Sequence, residues 1–194
     1  MRPPPRRAIS AIILAGGQGH RLGGRDKARL RWRGRALVDR LIEQLRSQAA
    51  EIVVVRARPR GAWRPPTNTR GCHDRIPGLG PVSGLEAGLR RARRRWCLTV
   101  PVDGLNPPRD LAAQLARGSR HGGHARQGED EMYLHALVNR QRRKALTRFI
   151  AQGGRSASNA CQALGIESVP LRARRTIWSI NTPEQWRHAR WCRQ

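Results

Sequence analysis

The sequence predicts an α/β fold, a single domain with a doubly wound, mostly parallel sheet flanked by helices. Three observations predict it. Apolar runs rich in isoleucine and valine alternate with stripes of helical period through the first half of the chain. The runs are apolar at successive positions, as strands covered on both faces require. A glycine-rich loop, LAGGQGHRLGGRDK at 14–27, follows directly on the first run, at a strand's carboxyl end, where open α/β sheets bind their ligands.

Residues 8–15 form the first strand, ended by Gly16-Gly17. Residues 35–48 set Leu37, Val38, Leu41, Ile42 and Leu45 on one stripe of a helix. EIVVVRA at 51–57 is the second buried strand. Residues 56–75 hold prolines, glycines and threonines without period and are expected as a long surface loop. GPVSGLEAGLRRA at 80–92 is a helix, with Ser83 and Glu86 at the spacing of a capping box, and RRWCLTVPV at 94–102 is the third strand. LNPPRDLAAQLA at 105–116 is expected to start a helix with Asn106 as N-cap and Pro107 in the first helical position. In the second half, YLHALVN is a strand, RKALTRFIAQ and SASNACQAL are helices, and IESVPL and TIWSI are short strands. INTPEQW opens a last helix, with Thr182 capping, Pro183 first and Gln185 in the reciprocal capping position. One domain is expected over 1–194, with 1–7, MRPPPRR, as a disordered basic N-terminus.

The length of 194 residues suffices for one sizeable core. The net charge is +26, and 37 of the 39 basic residues are arginine. Such charge attracts polyanions. Arg21, Arg46, Arg95, Arg143 and Arg187 nevertheless fall in five different predicted elements, so compositional bias is favoured over a nucleic-acid footprint, which normally clusters. Cysteines 72, 97, 161 and 192 form no C-x-x-C, which suits a reducing cytoplasm, and Cys97 and Cys161 sit at apolar positions expected to be buried. The N-terminus lacks the apolar length of a signal peptide or membrane span. His121-x-x-His124 has no supporting ligand spacing and is expected as a polar loop. Trp178 and the two tryptophans after it sit where a core would want them.

Glycines let backbone N–H groups close together on phosphate oxygens. The loop at 14–27 contains neither G-K-[ST] nor the third glycine of a dinucleotide fingerprint, whose place Leu22 takes. Arg21, Arg25 and Lys27 are set to neutralise a triphosphate. Asp103, just past the third strand, faces the same crevice and offers the hard oxygen that a Mg²⁺–triphosphate needs.

The pattern LAGG-x-x-x-R-L-G-G-x-D-K, followed in order by His73-Asp74, GPVSGLEAGL, VPVDGLNPPRDLAAQL, ALVNR, GGRSAS and INTPEQW, resembles the molybdenum cofactor guanylyltransferase family over nearly the whole chain. The resemblance implies a Rossmann-like nucleotidyltransferase fold, with GTP and molybdopterin as substrates, Mg²⁺ as cofactor and a cytoplasmic location. Transient contact with other cofactor-biosynthesis proteins, and no membrane partner, belong to the same expectation. It implies that Leu14, Ala15, Gly16 and Gly17 bind the nucleotide, Lys27 its phosphates and Asp74 the guanosine portion, and that Asp103 ligates the metal. Lys27, Arg21 and Asp103 would be the catalytic groups, and Asn181 and Arg155 would bind the acceptor. The chain departs from the family at Arg56, in the place of an asparagine, at Met132-Tyr133, in the place of a His-Pro pair, and at Ser179, in the place of another asparagine. The alternatives are a cytidylyltransferase or sugar-nucleotide transferase of the same fold, a member that binds nucleotide without transferring it, and a basic nucleic-acid-binding module.

Overall fold

A computed structural model describes residues 2–16, 26–57, 64–74, 79–172, 177–180, 182, 184 and 185. In chain order the elements are β1 (Ile9–Leu14), β2 (Arg31–Trp32), β3 (Arg35–Ala36), α1 (Leu37–Leu45), β4 (Glu51–Arg56), β5 (Arg70–His73), α2 (Pro81–Arg91) and β6 (Trp96–Pro101). There follow β7 (Gly104–Leu105), α3 (Leu111–Leu115), β8 (Gly122–Gln127), β9 (Asp130–Asn139), α4 (Arg143–Ala151), α5 (Ala157–Leu164), β10 (Glu167–Pro170) and β11 (Trp178–Ser179).

Seven strands form the central sheet in the order β10-β8-β9-β6-β1-β4-β5. Only β9 runs against its neighbours, β6 and β8; every other pairing in this sheet is parallel. Successive residues of β1 serve opposite faces. Ile9, Ala11 and Ile13 join one core with Leu37, Leu41 and Leu45 of α1 and Leu111 and Leu115 of α3. Ile12 and Leu14 join the other with α2, α4 and α5 through Leu85, Leu146 and Cys161. A strand covered on both sides gains about 1.5–3 kcal/mol from each large apolar side chain it buries, which is why the runs in β1, β4 and β6 carry no polar alternation. The expected three-layer α/β sheet is therefore observed.

The element boundaries hold corrections. The expected loop over 56–75 contains β5, a short parallel edge strand whose sequence, RGCH, lacks any apolar run. The expected polar loop at His121–His124 ends in β8, where His124 Nε2 donates across to the Glu131 carboxylate of β9 at 2.9 Å. The Ser83–Glu86 capping box does not form: α2 begins three residues earlier, with Gly80 as N-cap and Pro81 first, and the Ser83 hydroxyl bonds the Asp74 carboxylate instead. Glu86 accepts from Arg90, Arg143 and Thr147. Nor does Asn106 cap α3. It takes a left-handed φ of 56°, and the helix waits until Leu111. The buried amide of Gln48 serves the frayed start, donating to Pro108 O and accepting from Ala112 N. At the other end of the chain the Thr182–Gln185 reciprocal cap is present in both directions, at 3.1 and 3.2 Å. Of the N-terminal segment expected to be disordered, Arg6 and Arg7 lie in a 3-10 turn, with Arg6 bonded to the Arg46 carbonyl at 2.7 Å. Trp178 is half-buried, and the tryptophans at 186 and 191 fall outside the described residues.

Candidate active site

From β1 the chain steps outward to β4 and β5, then returns to lay β6 on the opposite flank of β1. The carboxyl ends of β1 and β6 thus face one crevice, the switch point where such sheets bind ligands. Backbone bonds carry the sheet past its strand ends here: Val102 N–H donates to Leu14 O at 3.0 Å, Ala15 N–H to Val55 O at 2.8 Å, and Asp74 N–H to Arg56 O at 2.9 Å. Gly16 lies flat against the end of β4, where a methyl group would stand 2.9 Å from Ala57 N. The residue is glycine because backbone passes there.

Lys27 and Asp103, separated by 76 positions in sequence, meet in the crevice with Nζ to Oδ2 at 2.8 Å. Their side chains are 15% and 19% exposed, so the pair is shielded yet reachable by a ligand. Lys27 Nζ also donates to Ile180 O at 3.1 Å, and Ile180 N–H donates to Asp103 O at 3.1 Å, so the segment entering residue 181 is tied to the same point. Lys27 begins a short 3-10 turn capped by Asp26, whose carboxylate accepts from Ala28 N–H. That carboxylate is gripped by both terminal nitrogens of Arg56, at 2.9 and 2.5 Å. Arg56 therefore clamps the carboxyl end of β4 onto the last turn of the glycine loop, in the fork geometry that arginine favours over lysine. Sequence reasoning marked Arg56 as a departure and did not find its partner. A groove of about 390 Å³ opens beside the clamp, lined by Ala28, Arg29, Val54, Arg56, Arg64 and Pro66 among others. Lys27 and Asp103 do not line it.

His135 was absent from the expected site. The β8–β9 ladder pairs His124 with Ala136 and then Ala125 with Met132, so residues 133–135 bulge out of register, the kind of irregularity that re-aims side chains near active sites. The bulge carries the His135 imidazole beneath the turn after β6. It is 2% exposed, and its Nε2 has no hydrogen-bond partner among the described residues. Burial pushes its pKa down to about 4, against the pull of the Asp103 charge, so the ring is neutral at ordinary pH. A methyl group on Gly104 would come within 2.8 Å of His135 Cε1 and closer still to Nε2. The imidazole thus fills the space under Gly104 and seats the turn that presents Asp103.

The other expected residues divide. Leu14, Ala15 and Gly16 line the β1 end of the crevice, and Asp74 stands at the end of β5, two strands along the same edge, holding Ser83. Arg155 lies exposed between α4 and α5, with a bond to Gly154 O at 3.3 Å and none described to Lys27 or Asp103. Gly17, Arg21, Arg25 and Asn181 fall outside the described residues. Cys97 and Cys161 are buried, and burial pushes both thiols up to about 12, which suits inert core residues. Among the described residues no group of three or more His, Cys, Asp or Glu is gathered to hold a metal, and no helix is long and apolar enough to cross a membrane.

Comparison with known proteins agrees with the fold. The family described as the MobA-like NTP transferase domain matches residues 11–165. Proteins named molybdenum cofactor guanylyltransferase in Yersinia pestis (strain Pestoides F) and Yersinia pseudotuberculosis serotype IB are 28% identical over 179 residues, 90% of this chain and 91% of theirs. Among solved structures, molybdopterin-guanine dinucleotide biosynthesis protein A from Archaeoglobus fulgidus superposes with a TM-score of 0.73 at 20% identity, covering 93% of this chain and 96% of that one. 2-C-methyl-D-erythritol 4-phosphate cytidylyltransferase from Thermus thermophilus gives 0.67 at 19%, covering 92% and 96%. At these identities the two structures speak for the fold.

Proposed function

We propose, since the chain belongs to the MobA-like NTP transferase domain family and is therefore a nucleotidyltransferase, that it transfers GMP from GTP to molybdopterin and releases pyrophosphate. The observation that carries this is the meeting of Lys27 and Asp103 at the switch point, one from the end of the glycine loop and one from the end of β6. The names of the curated relatives support molybdopterin as acceptor and guanosine as the base.

In this reaction a terminal phosphate oxygen of molybdopterin attacks the α-phosphorus of GTP, forming one P–O bond. The bond to the β-phosphate breaks in line, and pyrophosphate leaves with the electron pair. No bond to the enzyme is needed. The work left to the protein is positioning and charge neutralisation. The backbone turn at Leu14, Ala15 and Gly16 borders the phosphates, and Gly17 and Arg21 contact them. Lys27 exchanges its carboxylate partner for phosphate oxygens when nucleotide enters. Asp74, at the neighbouring strand end, receives the guanosine portion, and Asn181 and Arg155 receive the acceptor.

Mg²⁺ takes one or two carboxylates and completes its shell with phosphate oxygens and water. Asp103 is a partly exposed hard donor whose described partner is an ammonium group, so the residues present fit a metal that arrives with its nucleotide. When bound, the metal neutralises charge on the triphosphate.

A thermal-shift panel with GTP, CTP and ATP, each with and without Mg²⁺, followed by turnover of GTP with molybdopterin, tests the assignment. Stabilisation by GTP that depends on Mg²⁺, with pyrophosphate and a molybdopterin guanine dinucleotide as products, is expected. Stabilisation by CTP alone would reassign the base, and GTP binding without turnover would mark a protein that binds nucleotide and does not transfer it.

A further inference from the structure

Several arginines that are dispersed along the sequence meet at one edge of the sheet. Ile9, Trp96 and Asn139 stand side by side in the ladder of β1, β6 and β9. Directly outside that row lie Arg6 and Arg7 before β1, Arg93, Arg94 and Arg95 before β6, and Arg140 after β9, all exposed. Adjacent strands are about 4.8 Å apart, so the six guanidinium groups rise from three neighbouring strand ends. The loops are stitched together: Arg140 N–H donates to Arg95 O at 2.8 Å, and Arg94 N–H to the Ser10 hydroxyl at 3.1 Å. Helices α1 and α2 end at the same edge, adding Arg46 and Arg91 where their carbonyl ends favour cations.

Negative charge is scarce at this edge between β5 and β9. Glu51 opens β4 there, but it accepts from Arg70 at 2.7 Å, from Ser10 and from Arg93 N–H at 2.8 Å, and is only 9% exposed at its side chain. None of the six arginines makes an ion pair among the described residues. Nor does the ridge present an aromatic anchor among the described residues, because Trp96 is buried. Protein interfaces are built around such anchors, with aromatic residues at their centre. A surface of guanidinium forks without one suits a partner recognised by phosphate charge alone.

We infer that this amino-end ridge, formed by Arg6, Arg7, Arg93, Arg94, Arg95 and Arg140, binds the phosphodiester backbone of nucleic acid without regard to base sequence. The ridge lies on the edge of the sheet opposite the Lys27–Asp103 crevice, so a bound strand leaves the nucleotide site open.

The test is fluorescence anisotropy with a labelled 25-base-pair duplex, from 50 to 200 mM KCl, on the full chain. The ridge variant R93Q/R94Q/R95Q is compared with R31Q/R109Q/R148Q, which removes equal charge from exposed arginines elsewhere. All six positions are exposed and outside the crevice, so both proteins are expected to melt with the wild type. The ridge variant should bind at least about tenfold more weakly at 100 mM KCl and lose roughly two to three from the slope of log affinity on log salt, at about 0.9 per phosphate contact. The control should stay within about twofold. Equal weakening of both variants would overturn the proposal in favour of diffuse charge. Displacement of the duplex by poly-glutamate as readily as by an equal charge of unlabelled duplex of unrelated sequence would also overturn it, pointing to an acidic protein instead.

Discussion

Gly104 offers the sharpest test of how the crevice is held. Its φ is not among the positive glycine values, so the backbone would accept alanine and the main obstacle is His135, with Pro101 O at 3.3 Å a lesser one. The added methyl would lie within 2.8 Å of Cε1 and nearer to Nε2, and a ring that is 2% exposed has little room to retreat. Overpacking of this kind costs about 1–3 kcal/mol, which for a chain of this size lowers the melting temperature by about 2–4 °C per kcal/mol. His135→Ala alone leaves a cavity and costs about 2 kcal/mol or more. In the double variant the new methyl occupies part of that cavity, so the combined loss should fall short of the sum by about 1–2 kcal/mol. Urea denaturation of the four proteins, followed at two wavelengths to check for a single transition, reads the cycle. Strict additivity would show that His135 does not support the turn that carries Asp103.

Three further outcomes are expected. Removing the clamp by Arg56→Ala, with Asp26→Ala as partner, should reveal a coupling of about 1 kcal/mol in a double-mutant cycle, since the fork is charge-assisted but Asp26 is 30% exposed; zero coupling would reduce the contact to a surface ion pair. Lys27→Ala should slow the proposed guanylyl transfer roughly a hundredfold or more while shifting the urea midpoint little, as measured by pyrophosphate release, and near-normal turnover would remove Lys27 from the proposed mechanism. For pH, the folded-state pKa of His135, about 4, lies below the ordinary 6.5, so between these values the unfolded chain binds the extra proton; stability should be flat above about 6.5 and fall by up to about 3 kcal/mol towards pH 4. Urea midpoints across that range should lose this slope in His135→Leu, and an unchanged slope would assign the acid sensitivity to other groups.

How far the fold was legible depended on where apolar residues run together. β1, β4 and β6 announce themselves because both faces are covered, and the glycine loop lies at the end of one of them. RGCH and GGHARQ do not, because a short edge strand and a glycine-led strand are held by backbone ladders that leave no periodic trace. The Ser83–Glu86 spacing misled because a capping motif presupposes the helix start, which Gly80-Pro81 had already set. Lys27 and Asp103 were each legible as chemistry, but their contact across 76 positions was not. His135 could not be found, because the bulge that turns it inward is a register shift between two strands. The arginine ridge was hidden for a related reason: strand ends that are neighbours in the sheet are dozens of residues apart in the chain.

The placement of β1 has a consequence for how the chain is made. Its six residues are synthesised before either neighbour, the first beginning at Glu51 and the second at Trp96. At roughly 5–20 residues per second, the strand that forms the middle of the finished sheet spends on the order of ten seconds with at least one ladder edge unpaired while the ribosome finishes β6. Nascent-chain arrest before residue 96 should leave 9–14 open to holdase chaperones, and release past residue 101 should close that window.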